Sequence, residues 1–212
     1  MKVLDTKYHT QVNNEILPFV TCGTTSLANY LNWINIHWNK AYVCDDDKVM
    51  QTMNGPEMLA RAKSMIVKGI IDQSALEYRQ DNPQTPAIDE SKFTHLNNFM
   101  EVIAECGKFL TNNEFDFKIE YQTPDNIKTC IDNDFPALTS ARFTTGGHFV
   151  LIAGYDDEKN FIVDDPYGDW NSNYSQGTVG NGAKLKYSID KMSGIYTFKK
   201  GDAWRILRAY QK

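Results

Sequence analysis

Cys22 is the residue of this sequence whose surroundings most favour a reactive thiol. It precedes Gly23 and a segment in which Leu27, Leu31 and Ile34 recur at helical spacing, so an amphipathic helix is predicted to begin beside it. The N–H groups and the positive dipole end at a helix start lower the pKa of a thiol toward the thiolate. Gly23 would let a substrate backbone approach closely. Cys22 is therefore a candidate nucleophile, and the alternative is a small buried thiol.

A thiolate nucleophile needs a base, and His148 is the best placed of the four histidines. Two glycines, the second being Gly147, precede it and leave its surroundings open. A continuous apolar strand follows it and would hold the imidazole on a rigid element. The alternative is a polar residue bonded to the backbone at a strand start. The other three histidines have no partner that the sequence identifies, and we expect structural or surface roles for them: His9, His37 and His95.

A carboxylate that orients the imidazole is predicted just beyond the next strand. The chain turns over 156–160 and returns as a strand that ends in Asp164 and Asp165. Antiparallel pairing brings the end of the second strand back beside the start of the first. A carboxylate there would hold the tautomer of His148 and favour the imidazolium. Pairing alone does not choose between the two aspartates, because neighbouring strand residues face opposite sides.

The loop after these aspartates is a candidate wall of a substrate cleft. It begins with Pro166 and continues through a Gly- and Asn-rich stretch to residue 182. Because it leaves the candidate carboxylate directly, we expect Tyr167 or Trp170 to contact substrate. The alternative is a surface loop with anchored aromatic residues.

The elements that position these groups follow from hydrophobic periodicity. Besides the helix after Cys22, helices are predicted over 54–69, from about residue 92 and after Thr123. Apolar and charged residues alternate over 115–121, which is the two-residue period of a half-buried strand. Further strands are predicted over 135–140, 148–155, 160–164, 184–188 and 204–210. This order indicates the α+β class, with N-terminal helices packed on a mainly antiparallel sheet.

Composition limits the class of protein. A chain of 212 residues is long enough for one domain with a sizeable core, and we expect a single domain over 1–212. A formal net charge of -5 argues against a general nucleic-acid binder. The N-terminus lacks the apolar run of a signal peptide, and no stretch approaches the roughly 18 apolar residues of a membrane span. We therefore expect a product that is cytoplasmic as synthesised.

The remaining notable residues have structural interpretations. The four cysteines form no CxxC pair, which excludes zinc-ribbon and redox spacing as well as a disulfide scaffold. Three of them are expected to be small buried thiols: Cys44, Cys106 and Cys130. Three tryptophans are expected to be core or half-buried anchors: Trp33, Trp38 and Trp204. The aspartate run 45–47 lacks the spaced oxygens of a calcium loop, and we expect a solvated charge run rather than a cation site.

Four segments in this order resemble the C39-like peptidases, papain-superfamily relatives of the peptidases that remove double-glycine leaders from bacteriocins. They are a glutamine (Gln11), Cys-Gly-x-x-Ser-Leu-Ala at the start of a helix, Gly-Gly-His-Phe-Val, and Asp-Pro-Tyr-Gly. The resemblance covers residues 6–31 and 135–188. It implies a papain-like cysteine peptidase fold in which Cys22 faces His148. It also implies that Asp165, the aspartate before the proline, orients the histidine.

The resemblance further implies that Gln11 donates to an oxyanion hole. Its side-chain amide, together with the backbone N–H of Cys22, would hold the O⁻ that develops on the attacked carbonyl. A donor of this kind lowers the activation free energy of such a reaction by about 3–4 kcal/mol.

The expected reaction is acyl transfer at a peptide bond, with Cys22 as nucleophile and His148 as the acid that protonates the leaving amine. No metal or organic cofactor is implied, and we expect a monomer. The first expectation for substrate is the stem peptides of peptidoglycan, as for a phage or bacterial lysin that reaches the cell wall after release. One alternative is a processing peptidase for a specific protein or leader peptide. Another is a binding module that has kept the fold and lost turnover.

Overall fold

Helix α1, Cys22–Trp38, is surrounded by the rest of the protein along most of its length. The computed structural model describes residues 1–15, 21–71, 96–175, 177–196 and 199–212, with all their side chains except those of 96–98 and 199. Every residue from 22 to 34 is buried. A one-sided amphipathic helix was predicted, but buried polar side chains occupy its other faces. Ser26 and Asn29 are satisfied there by hydrogen bonds to other segments, as buried polar groups require.

Within the described residues, five further helices flank the sheet, and prolines mark the start of two of them. They are α2 (Asp46–Met53), α3 (Pro56–Val67), α4 (Leu96–Leu110), α5 (Pro124–Asp132) and α6 (Ile189–Ile195). Pro56 and Pro124 occupy the first turns of α3 and α5, where a proline costs no hydrogen bond. The helices predicted over 54–69 and after Thr123 are confirmed. The predicted start of the third helix near residue 92 lies outside the described residues.

The aspartate run 45–47 was wrongly predicted to be a solvated charge run. Asp45 is the N-cap of α2, and its side chain accepts a hydrogen bond from the backbone N–H of Lys48. Asp46 is buried, and its Oδ1 lies 3.7 Å from Nδ1 of His9. Burial raises the pKa of Asp46, and the charge of His9 opposes that shift.

The strands form one antiparallel sheet. They are β1 (Lys2–Val3), β2 (Phe115–Gln122), β3 (Ala137–Ala141), β4 (His148–Tyr155), β5 (Asn160–Asp164), β6 (Leu185–Ser188), β7 (Lys199–Lys200) and β8 (Ala203–Gln211). The spatial order is β2-β8-β3-β4-β5-β6, while β1 pairs with β4 and β7 with β8. The α+β class is therefore confirmed. The chain beyond β5 carries the candidate aspartate back toward the first residue of β4.

The apolar core lies between α1 and the central strands. Trp33 and Trp204 are almost fully buried, and Trp38 is partly buried against the same cluster, as predicted. The four cysteines form no disulfide. Cys106 and Cys130 are buried, whereas Cys44 is only half-buried. Within the described ranges, no helix is long and apolar enough to cross a membrane.

Candidate active site

Cys22 is the first residue of α1, with Thr21 as the N-cap. The Cys22 side chain and backbone together are 8 % exposed. The hydroxyl of Thr24 and the N–H of Thr25 both donate to the Thr21 carbonyl, at 2.9 and 3.0 Å, and these bonds close the first turn. The thiol therefore lies at the positive end of a 17-residue helix, where a thiolate is stabilised.

His148 is the first residue of β4, and its imidazole is directed at Asp165. Nε2 of His148 lies 2.6 Å from Oδ1 of Asp165, and both side chains are buried. Because Nε2 is engaged by the carboxylate, Nδ1 is the ring nitrogen left for proton transfer. The hydroxyl of Ser26 donates to the carbonyl of Phe149 at 3.2 Å. This bond joins the first turns of the helix that Cys22 begins to the strand that His148 begins.

The two aspartates face different partners. The carboxylate of Asp164 accepts hydrogen bonds from the hydroxyl of Thr6 and from the backbone N–H of Lys184 at 3.0 Å, and it forms an ion pair with Nζ of Lys184 at 3.2 Å. Asp165 follows the last residue of β5 and lies against His148. The alternation of facing directions, which left the choice open in the sequence, places the imidazole partner at Asp165.

Four further donors surround the carboxylate of Asp165. Its Oδ1 accepts from two backbone N–H groups, those of Tyr167 at 3.0 Å and Gly168 at 3.4 Å. Its Oδ2 accepts from the hydroxyls of Tyr187 at 2.7 Å and Tyr174 at 3.1 Å. Burial, and next the charge of Asp165, raises the pKa of both tyrosines, so both hydroxyls remain protonated and act as donors. This ring of donors fixes the orientation in which Oδ1 meets the imidazole.

The backbone of Asp165 is held as firmly as its side chain. Its N–H donates to the carbonyl of Gly182 at 2.8 Å, and its own carbonyl accepts from the hydroxyl of Tyr8 at 2.9 Å. Burial raises the pKa of Tyr8 to about 12. A Cβ at Gly182 would lie 1.7 Å from the Asp165 carbonyl oxygen, so only glycine permits this approach.

Gln11 is buried between the loop after Asp165 and the start of α1. It begins a short 3₁₀ turn, Gln11–Asn13, and its N–H donates to the carbonyl of Pro166 at 2.9 Å. The amide of Asn14 donates to the hydroxyls of Thr21 and Thr25, at 2.8 and 3.0 Å. Asn14 therefore fastens the turn that carries Gln11 to the helix end that carries Cys22.

The residues predicted to contact substrate occupy different positions. Gly147 has a φ of 87° and is half-buried beside His148, whereas Gly23 is buried within the first turn of α1. Tyr167 is half-buried, and its ring centre lies 6.4 Å from that of His148. Trp170 is half-buried and is held by packing on Phe143, with ring centres 5.1 Å apart. Substrate contact at these four positions stays a prediction.

Sequence patterns did not single out several residues that build the site. They are Tyr8, Asn14, Phe143, Tyr174 and Tyr187. Tyr174 has a φ of 52°, a left-handed conformation that is uncommon for a bulky residue and often marks a functional position. His9 has partners after all: Nε2 lies 2.6 Å from the side-chain amide nitrogen of Asn32. It is structural, while His95 lies outside the described residues.

Among the residues whose positions are described, no group of three or more His, Cys, Asp and Glu side chains is arranged to hold a metal ion.

Comparisons with known proteins relate the whole chain to one group. A sequence model of the Peptidase_C39 like family matches residues 3–192. A Bacillus anthracis structure assigned to the C39-like peptidases has a TM-score of 0.55 and 13% identity, covering 100% of this chain and 98% of that one. The peptidase domain of Streptococcus ComA, described as a bi-functional ABC transporter involved in a quorum sensing pathway, has a TM-score of 0.47 and 12% identity over 91% and 93% of the two chains. No curated protein matches.

The match to the Bacillus anthracis structure confirms the predicted C39-like peptidase fold. At 13% identity it bears on the fold alone. Which reaction the site performs follows from the residues that the fold brings together.

Proposed function

Because the chain belongs to the Peptidase_C39 like family, we propose that it is a cysteine peptidase that uses Cys22, His148 and Asp165. The observation that carries the proposal is the 2.6 Å contact of His148 Nε2 with Asp165, on a strand whose start is bonded to the helix that Cys22 begins. A buried imidazole–carboxylate pair, on a strand bonded to the helix that begins with a thiol, supplies the groups that nucleophilic catalysis needs.

The acyl-transfer step follows from these positions. The Cys22 thiolate adds to the carbonyl carbon of a peptide bond, and the developing O⁻ is held by the Cys22 backbone N–H and the Gln11 amide. His148 then protonates the leaving amine as the C–N bond breaks, which leaves the acyl group on Cys22 as a thioester. Water, deprotonated by the same imidazole, releases the acyl group. Asp165 holds the imidazole in place and stabilises the imidazolium when it forms.

Within peptide substrates, we propose peptidoglycan stem peptides as the first class to test, with action at the cell wall. A specific protein or leader peptide is the second class. These finer assignments rest on the resemblance to C39-like peptidases and are to be decided by experiment.

Turnover is tested on two substrates in parallel: purified bacterial cell walls and a peptide mixture derived from a whole proteome. New amino termini are identified by mass spectrometry with the native protein, with Cys22→Ala and with the control Cys44→Ala. The proposal predicts cuts that Cys44→Ala retains and Cys22→Ala lacks. Cuts that persist in Cys22→Ala would refute the thiol mechanism, and no Cys22-dependent cut in either substrate would favour a binding module.

A further inference from the structure

A groove lined by both polar and aromatic side chains opens beside the catalytic imidazole. It has a volume of ≈ 510 Å³, in the range of sites that bind small ligands. Six residues line it, from the β3–β4 connection and from the loop after Asp165: Arg142, Phe143, Thr144, Thr145, Asn173 and Tyr174. We call this the Arg142 groove.

The walls of the Arg142 groove are held in place by packing and backbone hydrogen bonds. The N–H of Arg142 donates to the carbonyl of Ile195 at 3.1 Å, and the ring of the next residue, Phe143, is buried. The hydroxyl of Thr144 donates to the Gly147 carbonyl at 2.7 Å and closes the turn that leads to His148. On the opposite wall, Tyr174 is bonded to Asp165. The groove is thus part of the site's framework.

The Arg142 groove adjoins the part of the site that holds His148, and not the part that holds Gln11. The ring centres of Phe143 and Tyr174 lie 6.2 and 5.8 Å from that of His148. Gln11, the predicted oxyanion donor, does not line it. Because His148 gives its proton to the leaving amine, the adjoining groove is suited to the part of the substrate that departs with that amine.

Arg142 brings a positive charge to this groove. Its side chain is exposed, and none of the carboxylates in the described ranges forms an ion pair with it. The hydroxyl of Thr145 and the amide of Asn173 add polar groups to the same lining. The guanidinium group of arginine is well suited to bind a carboxylate, because it can donate two parallel hydrogen bonds to the two carboxylate oxygens.

We propose that the Arg142 groove binds a substrate carboxylate on the C-terminal side of the cleaved bond. The assignment rests on the proposed peptidase function, because it is the role of His148 that defines the leaving side. The carboxylate is either an acidic side chain or the α-carboxylate of the chain end. Both sources present the same planar group to Arg142.

Protection of Cys22 from iodoacetamide tests carboxylate binding in the Arg142 groove without requiring turnover. The probes are four tripeptides that imitate the leaving product: glycyl-alanyl-glutamate and glycyl-alanyl-glutamine, each as the free acid and as the C-terminal amide. The rate of Cys22 alkylation is measured by peptide mass spectrometry at rising concentrations of each. Carboxylate-bearing tripeptides should give half-protection at concentrations about three- to tenfold lower than the tripeptide that lacks a carboxylate, a range set by a partly exposed charge-assisted contact.

The variants assign the effect to one side chain. Arg142→Gln should abolish the preference, and Arg142→Lys should retain part of it. Lys63→Gln removes the same charge from an exposed position on α3 outside the groove and should change nothing. Glycyl-alanyl-glutamine as the free acid carries only the α-carboxylate, and glycyl-alanyl-glutamate as the amide carries only the side-chain carboxylate. Comparing these two tripeptides therefore separates the two carboxylate sources.

Equal protection by all four tripeptides, protection by none, or a preference that survives Arg142→Gln would overturn the inference. Failure of the proposed function is visible separately. In that case Cys22 would be alkylated no faster than Cys44 in the absence of any tripeptide.

Discussion

At the scale of residues, the site depends on which of two adjacent aspartates contacts the imidazole of His148. Asp164 and Asp165 are adjacent and both fully buried, yet only Asp165 contacts the imidazole, while Asp164 binds Thr6 and Lys184. One position in the chain therefore separates a carboxylate that contacts the imidazole from one that anchors the N-terminal segment.

Substituting each aspartate by asparagine should separate these roles. Asp165→Asn removes the negative charge beside His148 and can favour the wrong tautomer of the imidazole, so it should lower turnover at least about 100-fold, since a related triad loses more. Asp164→Asn should lower the free energy of unfolding by about 1–3 kcal/mol with a much smaller loss of turnover. Rates on a cleaved peptide and urea unfolding measure the two effects. The reverse ranking of the two rates would show that the wrong aspartate has been assigned.

The two tyrosine hydroxyls on Oδ2 are predicted to act as positioning groups. Tyr187→Phe removes a donor at 2.7 Å from Asp165, so the carboxylate is freer to turn, and kcat should fall about tenfold with little change in KM. Tyr196→Phe is the matched control, since this buried hydroxyl bonds Thr139 at 2.7 Å instead. Both substitutions should cost about 1 kcal/mol of stability.

Equal loss of kcat in the Tyr187 and Tyr196 variants would mean that stability alone explains the effect. A further readout is the pH profile of kcat. It should shift in Tyr187→Phe and stay unchanged in Tyr196→Phe, because only the first changes the surroundings of the imidazole–carboxylate pair.

At the scale of elements, the site is an assembly of chain segments that meet at the start of α1. The N-terminal segment binds both the loop after Asp165, through Thr10, and the helix start, through Asn14. The stretch around Gly182 returns to the backbone of Asp165. The position of the carboxylate therefore depends on contacts between loops as well as on the sheet.

Gly182→Ala tests this dependence. A Cβ there would lie 1.7 Å from the Asp165 carbonyl oxygen, so the loop must move and carry the carboxylate away from His148. We expect turnover to be nearly abolished and stability to fall by more than about 1 kcal/mol. Gly194→Ala in α6 is the control, because a Cβ there meets nothing within 4 Å. Native turnover in Gly182→Ala would contradict the packing described.

Strong periodicity made most elements predictable from sequence. Strand β4 and helix α3 follow from apolar runs and turn signals, and the Cys, His and Asp segments follow from short motifs. Helix α2 was missed because its capping aspartate sits in a run that resembles a solvated surface. Strand β1 has two residues, too few for any period. Tyr174 and Tyr187 were missed as Asp165 partners because contacts 9 and 22 residues away leave no periodic signal.

At the scale of the whole molecule, the stability of the fold depends on pH through the buried carboxylate of Asp156. Asp156 begins the β4–β5 turn and accepts from the side-chain amide of Asn160 and from the backbone N–H groups of Asn160 and Glu158. It also pairs with Lys186 at 3.0 Å. Burial opposes ionisation, but these hydrogen bonds together lower the pKa of Asp156 well below its usual range. The pKa of Asp156 is thus lower in the folded than in the unfolded chain. Its contribution to the free energy of unfolding is therefore present above about pH 4 and is lost as pH falls.

Asp156→Asn should therefore be less stable than the native protein at pH 7, and this difference should shrink below about pH 4. Urea unfolding at a series of pH values measures it. Asp202→Asn, at an exposed position, should follow the native curve throughout. A difference in stability that stays constant from pH 7 to pH 2 would refute the linkage.

The assignment of Cys22 as a nucleophile paired with His148 is tested by the rate at which iodoacetamide alkylates each cysteine between pH 4 and pH 9. Burial raises the pKa of Cys106 to about 12 and also raises that of Cys130, so these thiols should react slowly, and half-buried Cys44 serves as the ordinary thiol. If Cys22 is paired with His148, it should react at least about tenfold faster than Cys44 near neutral pH, with an apparent pKa well below about 8.5 that rises in His148→Ala. A Cys22 that reacts like Cys44 and ignores His148→Ala would contradict the account.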